Sequence, residues 1–262
     1  MPVFLLAACA DAREAAPTEP ATVASPARAP SPRASAAVRP ANAVRIESDD
    51  GLLEFSYSHP AEVGAVPALA AILTADRDEA LAEARKFASA DSSTARREDY
   101  PYNPHALAIE WEVVTQTPRF LSLSNSFYTF TGGAHGNYGV SGLLWDRVAG
   151  RRIDALDLFT SRSAFAAAVR EPLCQALDQE RRKKGIDPPA EDSAFPRCID
   201  PATDAAVIPG SSNRRAFDRI GFLIGPYAAG SYGEGSYEVT LPVTGAILAA
   251  VKPEYRDAFA LP

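Results

Sequence analysis

Residues 105–131, HALAIEWEVVTQTPRFLSLSNSFYTFT, decide the fold of this 262-residue chain. They contain two runs rich in aromatic and β-branched residues, and a third run, NYGVSGLLWDRV, follows at 137–148. Apolar side chains recur at every second position of the first run, which is the period of a β-strand. Because the connections between the three runs are short, the sequence predicts an antiparallel meander here.

The segments before this sheet predict a hairpin followed by a helix. VRIES (44–48) and LLEFSYS (52–58) have strand character, and Asp50 and Gly51 between them are typical of a hairpin turn. Residues 75–97 are rich in Ala, Glu, Arg and Leu, which predicts an amphipathic helix with Asp76 as its N-cap.

The C-terminal half changes to a helical period and then returns to strands. Residues 155–185 predict a helix that Ser161 or Ser163 caps, Gly185 ends and Pro172 kinks or breaks. Residues 186–213 are rich in Pro and Asp and predict an irregular excursion. A strand, a loop, a second strand and a short closing helix are expected over residues 217–255.

Charge and motif content exclude several function classes. The formal net charge of −7 lacks the basic footprint of a nucleic-acid-binding protein, so no nucleic-acid partner is expected. The cluster Arg181–Lys184 is interpreted as a solvated helix end. The three histidines are dispersed and no zinc-type spacing occurs, so neither a metal site nor a cofactor is predicted. A Gly-x-Ser-x-Gly nucleophile motif is also absent from the sequence.

The N-terminus predicts export to a bacterial cell envelope. Residues 1–9, MPVFLLAAC, resemble a truncated lipoprotein signal that ends at a lipobox cysteine, and Cys9 is therefore expected to be lipidated. Because the signal lacks basic residues, we expect an upstream start to supply them. Residues 10–43 contain 13 Ala and 6 Pro, a composition that predicts a disordered tether. The predicted membrane partner is thus reached through a lipid anchor.

The remaining two cysteines, Cys174 and Cys198, form an even pair in a chain expected to be exported. An oxidising compartment favours a disulfide between them. A metal site is the alternative, but the two cysteines lack Cys-x-x-Cys spacing and have no nearby histidine.

Two glycine-rich segments are the candidate binding loops. The first, TFTGGAHGNYG (129–139), holds His135, which could be a structural turn residue, a contributor to a binding surface, or a catalytic or metal-binding group. The second, GPYAAGSYGEGSY (225–237), interleaves tyrosines with Gly and Ser as binding loops do, although its tyrosines could instead pack on the core. If both loops lie at one end of the sheet, they form a single concave edge. The candidate binding residues are Gly132, Gly133, His135, Asn137, Tyr138, Tyr227, Tyr232, Glu234 and Tyr237.

Three motifs carry a family resemblance: FYTFTGGAHGNYG (127–139), WDRVAGRRIDALDLF (145–159) and IGFLIGPYAAGSYGEGSYEVTLP (220–242). In this order they resemble an extracytoplasmic domain of unknown function that occurs in RsiV-like and PdaC-like proteins and in stand-alone bacterial lipoproteins. The resemblance implies an α+β fold, with helices packed on a strongly bent antiparallel sheet. The expected domain is 44–262, with possible halves 44–131 and 132–262.

Two function classes remain open at this point. In RsiV the domain binds lysozyme, and in PdaC catalysis belongs to a separate domain, so the resemblance implies a tethered binding module. Its expected ligand is a cell-wall glycan such as peptidoglycan, or an exogenous protein such as lysozyme. The alternative is a peptidoglycan-acting hydrolase or deacetylase-associated enzyme in which His135 works with Asp146 or Glu234. The absence of a nucleophile motif favours the binding module, with no catalytic residue.

Overall fold

The computed structural model describes residues 42–190 and 192–262. The predicted signal (1–9), its Cys9 and nearly all of the predicted tether (10–43) lie outside these residues. Within the described residues, no helix combines the length and the apolar character needed to cross a membrane.

Six strands form the first sheet, in the order of the chain. The predicted hairpin and the predicted three-stranded antiparallel meander are both confirmed. The possible division into halves at 131/132 falls inside one hairpin of this sheet, which continues through its sixth strand. The strands are β1 (Val44–Asp49), β2 (Leu53–His59), β3 (His105–Gln116), β4 (Phe120–Phe130), β5 (Asn137–Asp146) and β6 (Arg151–Ile153).

The sheet is mixed, which corrects the expectation of a purely antiparallel one. Strands β2 and β3 run parallel. The chain between them forms a short helix, α1 (Ala61–Gly64), and a long helix, α2 (Pro67–Glu98). A parallel pair needs a crossover of this kind, whereas a hairpin can only join antiparallel strands.

Helix α2 begins earlier than predicted, so Asp76 is not its N-cap. The N-cap is Val66, and Pro67 occupies the first turn, where its missing N–H costs no helical hydrogen bond. Leu69 and Leu73 are buried in this first part of the helix. They pack with Leu121, Leu123, Leu143 and Trp145, so that α2 covers one face of the first sheet.

The second sheet is antiparallel, in the order β7 (Ala206–Gly210), β8 (Arg219–Ile224) and β9 (Tyr237–Pro242). Strand β7 lies inside the segment predicted to be irregular. Its sequence, AVIPG, ends in proline and glycine, which are unfavourable in most strands. The other two strands match the prediction.

Helix α3 (Arg162–Lys183) covers the second sheet. Ser161 caps it by accepting a hydrogen bond from the Ala164 N–H at 3.0 Å, and the helix ends just before Gly185, both as predicted. It runs unbroken through Pro172, so of the predicted kink or break the break does not occur. A short closing helix, α4 (Gly245–Ala250), follows β9. The apolar stripe of α3 is fully buried and consists of Phe165, Val169, Leu173 and Leu177. The α+β fold class is thus confirmed.

The second sheet lies against only part of the other face of the first sheet. Gly142 of β5 contacts Ile208 of β7, where a Cβ on the glycine would come within 3.1 Å of the isoleucine side chain. Nearby, the rings of Phe120 and Phe217 stack at 5.4 Å between centroids. Further along β4 and β5, Ser126 and Tyr128 are exposed, so this end of the face is open.

The segment between α3 and β7 is tied to the helix at two points. Cys174 of α3 and Cys198 form a disulfide, with 5.1 Å between their Cα atoms. Beside it, Arg181 is fully buried and donates hydrogen bonds to the carbonyl oxygens of Pro196 and Arg197. The prediction of a solvated basic helix end is therefore wrong for Arg181.

Candidate ligand-binding surface

The two glycine-rich loops, whose meeting the sequence left open, are in contact. The hydroxyl of Tyr232 donates a hydrogen bond of 2.6 Å to the carbonyl oxygen of Gly136. The Nδ1 atom of His135 donates to the same oxygen at 2.9 Å. The rings of His135 and Tyr232 stack with 4.2 Å between centroids. One carbonyl of the β4–β5 loop thus holds residues that lie 97 positions apart in the chain.

Four rings form what we call the aromatic cluster: His135, Tyr138, Tyr227 and Tyr232. Tyr232 is at its centre, with ring centroids 5.5 Å from Tyr138 and 5.7 Å from Tyr227. Burial, together with the neighbouring tyrosines, raises the pKa of Tyr232 above its ordinary value. His135 is exposed, and 53% of Tyr227 is accessible. The cluster therefore presents ring surface to solvent.

Tyr227 has an unusual backbone conformation. Its φ angle is 68°, in the left-handed region that bulky residues rarely occupy. Such conformations cost free energy and tend to cluster at functional sites. In this conformation Tyr227 holds its exposed ring beside Tyr232, at the edge of the cluster.

The β8–β9 loop is held by a carboxylate and a cation. Glu234 accepts hydrogen bonds from the Ser231 N–H at 2.8 Å and from the Tyr237 hydroxyl at 2.7 Å. Burial acts to raise the pKa of Glu234, but these hydrogen bonds outweigh it and keep the pKa below its ordinary value. Burial and the Glu234 carboxylate raise the pKa of Tyr237 to about 12. Both residues therefore support the loop from within.

Lys184, at the end of α3, braces the same loop. Its Nζ donates to the carbonyl oxygens of Glu234 at 2.7 Å and Ser236 at 2.6 Å. The ammonium group also lies 4.0 Å from the centroid of the Tyr237 ring, within the range of a cation–π interaction. This lysine was predicted only to be solvated; the structure makes it part of the loop's support.

The predicted binding residues thus divide into three groups. His135, Tyr138, Tyr227 and Tyr232 come together in the cluster, whereas Glu234 and Tyr237 lie beneath it. The third group lies outside the cluster: Gly132 and Gly133 are in the β4–β5 loop and Asn137 begins β5; Gly133 and Asn137 are exposed, and Gly132 has a φ of 80°.

The proposed catalytic pairs are not formed. Asp146 is at the opposite end of β5 from Asn137, a separation of roughly 30 Å at the rise of a β-strand. Burial acts to raise the pKa of Asp146, but Arg119 and two turn amides hold the pKa below its ordinary value. Glu234 is committed to Ser231 and Tyr237. Among residues 42–190 and 192–262, no carboxylate pairs with His135.

The other two histidines are strand residues. His59 ends β2 and His105 begins β3, and both are buried. The Nε2 atom of His105 lies 3.0 Å from a carboxylate oxygen of Asp91. In the described part of the chain, no three His, Cys, Asp or Glu side chains are grouped closely enough to hold a metal ion.

Gly132 and Gly133 offer a matched pair of substitutions that tests the geometry of this loop. Gly132→Ala places a Cβ at a φ of 80°, so we expect it to lower the free energy of unfolding by about 1–2 kcal/mol. Gly133 has no such angle, and a Cβ there meets no atom within 4 Å, so Gly133→Ala should change stability by less than about 0.5 kcal/mol. Urea unfolding of both variants measures the difference. Equal destabilisation by the two would contradict this loop geometry.

Comparison with known proteins supports the predicted family resemblance. Residues 46–138, from β1 to the start of β5, match the family model described as deacetylase PdaC. The predicted likeness to PdaC is therefore confirmed over these residues, which include His135. No curated protein matches the sequence.

Two solved structures of DUF3298 family proteins are similar to this chain. One from Pseudomonas aeruginosa PAO1 is 16% identical, covers 84% of this chain and 97% of its own, and superposes with a TM-score of 0.50. Another from Bacteroides fragilis NCTC 9343 is 15% identical, covers 76% of this chain and 88% of its own, and has a TM-score of 0.44. At 16% identity, the first likeness concerns the fold.

Proposed function

We propose, starting from the match of residues 46–138 to the PdaC family model, that the protein is a non-enzymatic binding module of the bacterial cell envelope. Its ligand is a cell-wall glycan such as peptidoglycan, or an exogenous protein such as lysozyme. The ligand contacts the aromatic cluster.

The observation that carries this proposal is the exposed aromatic cluster itself. Tyrosine offers a rigid apolar face and a polar edge at a low cost in conformational entropy, which suits recognition. Tyr227 and His135 are exposed, while Tyr232 behind them is fixed by its hydrogen bond to Gly136. The rings of Tyr232 and His135 are therefore held in place before a ligand arrives, and less ordering entropy is lost on binding.

Binding is favoured over hydrolysis because a histidine that acts as a general acid–base normally needs an orienting carboxylate within hydrogen-bond reach. The Nδ1 of His135 is engaged by the Gly136 carbonyl. Its two candidate carboxylates, Asp146 and Glu234, make their hydrogen bonds elsewhere. What His135 offers a ligand is a ring face and its Nε2 atom.

The proposed location in the cell envelope is supported by the N-terminal segment before the domain and by the disulfide within the domain. Lipidation of Cys9 would anchor the protein, and the Ala- and Pro-rich segment up to residue 43 would separate the domain from the membrane. The disulfide between Cys174 and Cys198 suits an oxidising compartment such as the periplasm or the cell exterior.

Retention of the full chain by purified peptidoglycan sacculi and by immobilised lysozyme tests this proposal. We expect one of the two supports to retain the protein, and we expect no soluble fragments to be released from the sacculi. Blank beads serve as the control. If neither support retains the protein, the proposed function is contradicted. Release of muropeptides or acetate from the sacculi would instead favour the enzyme.

A further inference from the structure

A polar groove crosses the open end of the first sheet, next to the aromatic cluster. It has a volume of about 350 Å³ and extends from β1 to β5. Four strand spacings correspond to a width of roughly 19 Å. The second sheet covers this face only further along β4 and β5, where Gly142 meets Ile208. The groove is thus bounded at one end and open at the other.

Small side chains form the floor of the groove. Ser58, Ser56 and Ala108 face it from β2 and β3, and Ser126 faces it from β4. Among the described residues, none of the three serine hydroxyls makes a hydrogen bond. Each hydroxyl can both donate and accept, so the floor offers several free polar groups.

The charges of the groove are unequal. On β1, Arg45 and Glu47 pair with each other, with 2.6 Å between Nε and Oε1. In register between Ser58 and Ser126, Glu110 is exposed, and within the described residues no basic group lies near enough to pair with it. The groove therefore has one uncompensated negative charge, which accepts hydrogen bonds and repels anions.

Aromatic rings form the wall on the side of β4 and β5. Tyr128 and Tyr138 are paired across these strands, and 39% of Tyr128 is exposed. Tyr138 also belongs to the aromatic cluster through its contact with Tyr232. The groove and the cluster are consequently one continuous surface.

We propose that this groove binds an oligosaccharide chain, which deepens the proposed function and rests on it. A sugar ring has an apolar C–H face that packs on an aromatic ring and an edge of hydroxyl and amide groups that bonds to serines and carboxylates. The polar floor is unsuited to an apolar protein surface. The unpaired Glu110 disfavours a polyanion and favours a neutral or cationic sugar chain. One end of the chain contacts Tyr138, and the remainder crosses the floor towards Arg45.

Titration of the full chain with the tetrasaccharide of N-acetylglucosamine tests this inference. Ser58→Leu and Ser126→Leu fill the floor, and we expect each to weaken binding by about tenfold or more. The matched control is Ser89→Leu on the exposed surface of α2, which should bind as the wild type does. Glu110→Gln preserves shape, so it should weaken binding several-fold without changing the thermal unfolding temperature.

The outcomes separate the groove from the proposed function. If both serine variants bind the tetrasaccharide as the wild type does, the proposal that the groove binds an oligosaccharide is overturned. If the chain does not bind the tetrasaccharide but binds lysozyme, the proposal for the groove is again overturned, whereas the proposed function stands. If the chain binds none of the three, neither the tetrasaccharide nor sacculi nor lysozyme, both proposals are overturned.

Discussion

Replacing Arg181 with methionine should lower the free energy of unfolding by about 3–5 kcal/mol, the usual cost of breaking a buried ion pair. The guanidinium is fully buried and lies 3.1 Å from the carboxylate of Asp178. It also donates to the carbonyl oxygens of Pro196 at 3.1 Å, Arg197 at 2.6 Å and Ala229 at 2.7 Å. Methionine has a similar length but no donor, so these buried acceptors would lose their partner.

The matched control is Arg197→Met. Arg197 contacts the same carboxylate at 3.2 Å, but 69% of its side chain is exposed. Exposed ion pairs contribute little, so this variant should lose less than about 1 kcal/mol. Urea unfolding at neutral pH measures both. Similar stabilities of the two variants would contradict a central structural role for Arg181.

Removal of the disulfide should have the second-largest effect. The bridge joins residues 24 positions apart, and the chain-entropy model gives roughly 3–4 kcal/mol for a loop of this length. A Cys174→Ala/Cys198→Ala variant should unfold at correspondingly lower urea concentration. Reductant should destabilise the wild type and leave the double variant unchanged. The double variant is therefore the control for any effect of the reductant other than breaking the disulfide.

Intact mass provides an independent check of the disulfide. In wild type produced in an oxidising compartment, reduction before alkylation should give two more alkylated thiols than alkylation without reduction. If Cys174 and Cys198 are alkylated without reductant, the bridge is absent and the expected loss of stability does not apply.

Elements with local signals could be predicted from the sequence. The hairpin at residues 50–51, the meander over β3 to β5 and the cap at Ser161 each depend on neighbouring residues. The parallel pairing of β2 with β3 could not be predicted, because the partners lie about 50 positions apart and no local pattern records which strands pair. The same limit applies to β7, whose Pro209 and Gly210 are more typical of a loop.

The candidate site divides in the same way. The glycines and tyrosines of the two loops marked them as candidate binding loops, and the structure brings four of the candidate residues together: His135, Tyr138, Tyr227 and Tyr232. Sequence reasoning did not separate Tyr227, which is exposed, from Tyr237, which is buried, because burial depends on where α3 and its Lys184 lie. It also missed the groove, since Ser58 and Ser126 are ordinary strand residues until the register aligns them.

The central claim is that the aromatic cluster binds the ligand and does more than join two loops. The most direct measurement compares affinity with stability for Tyr227→Ala, using Tyr100→Ala as the control because Tyr100 is comparably exposed. Tyr227→Ala should weaken binding to sacculi or lysozyme, whichever retains the wild type, by about tenfold or more. Its thermal unfolding temperature should stay within about 2 °C of that of the wild type. Unchanged affinity in a stably folded Tyr227→Ala protein would contradict the claim.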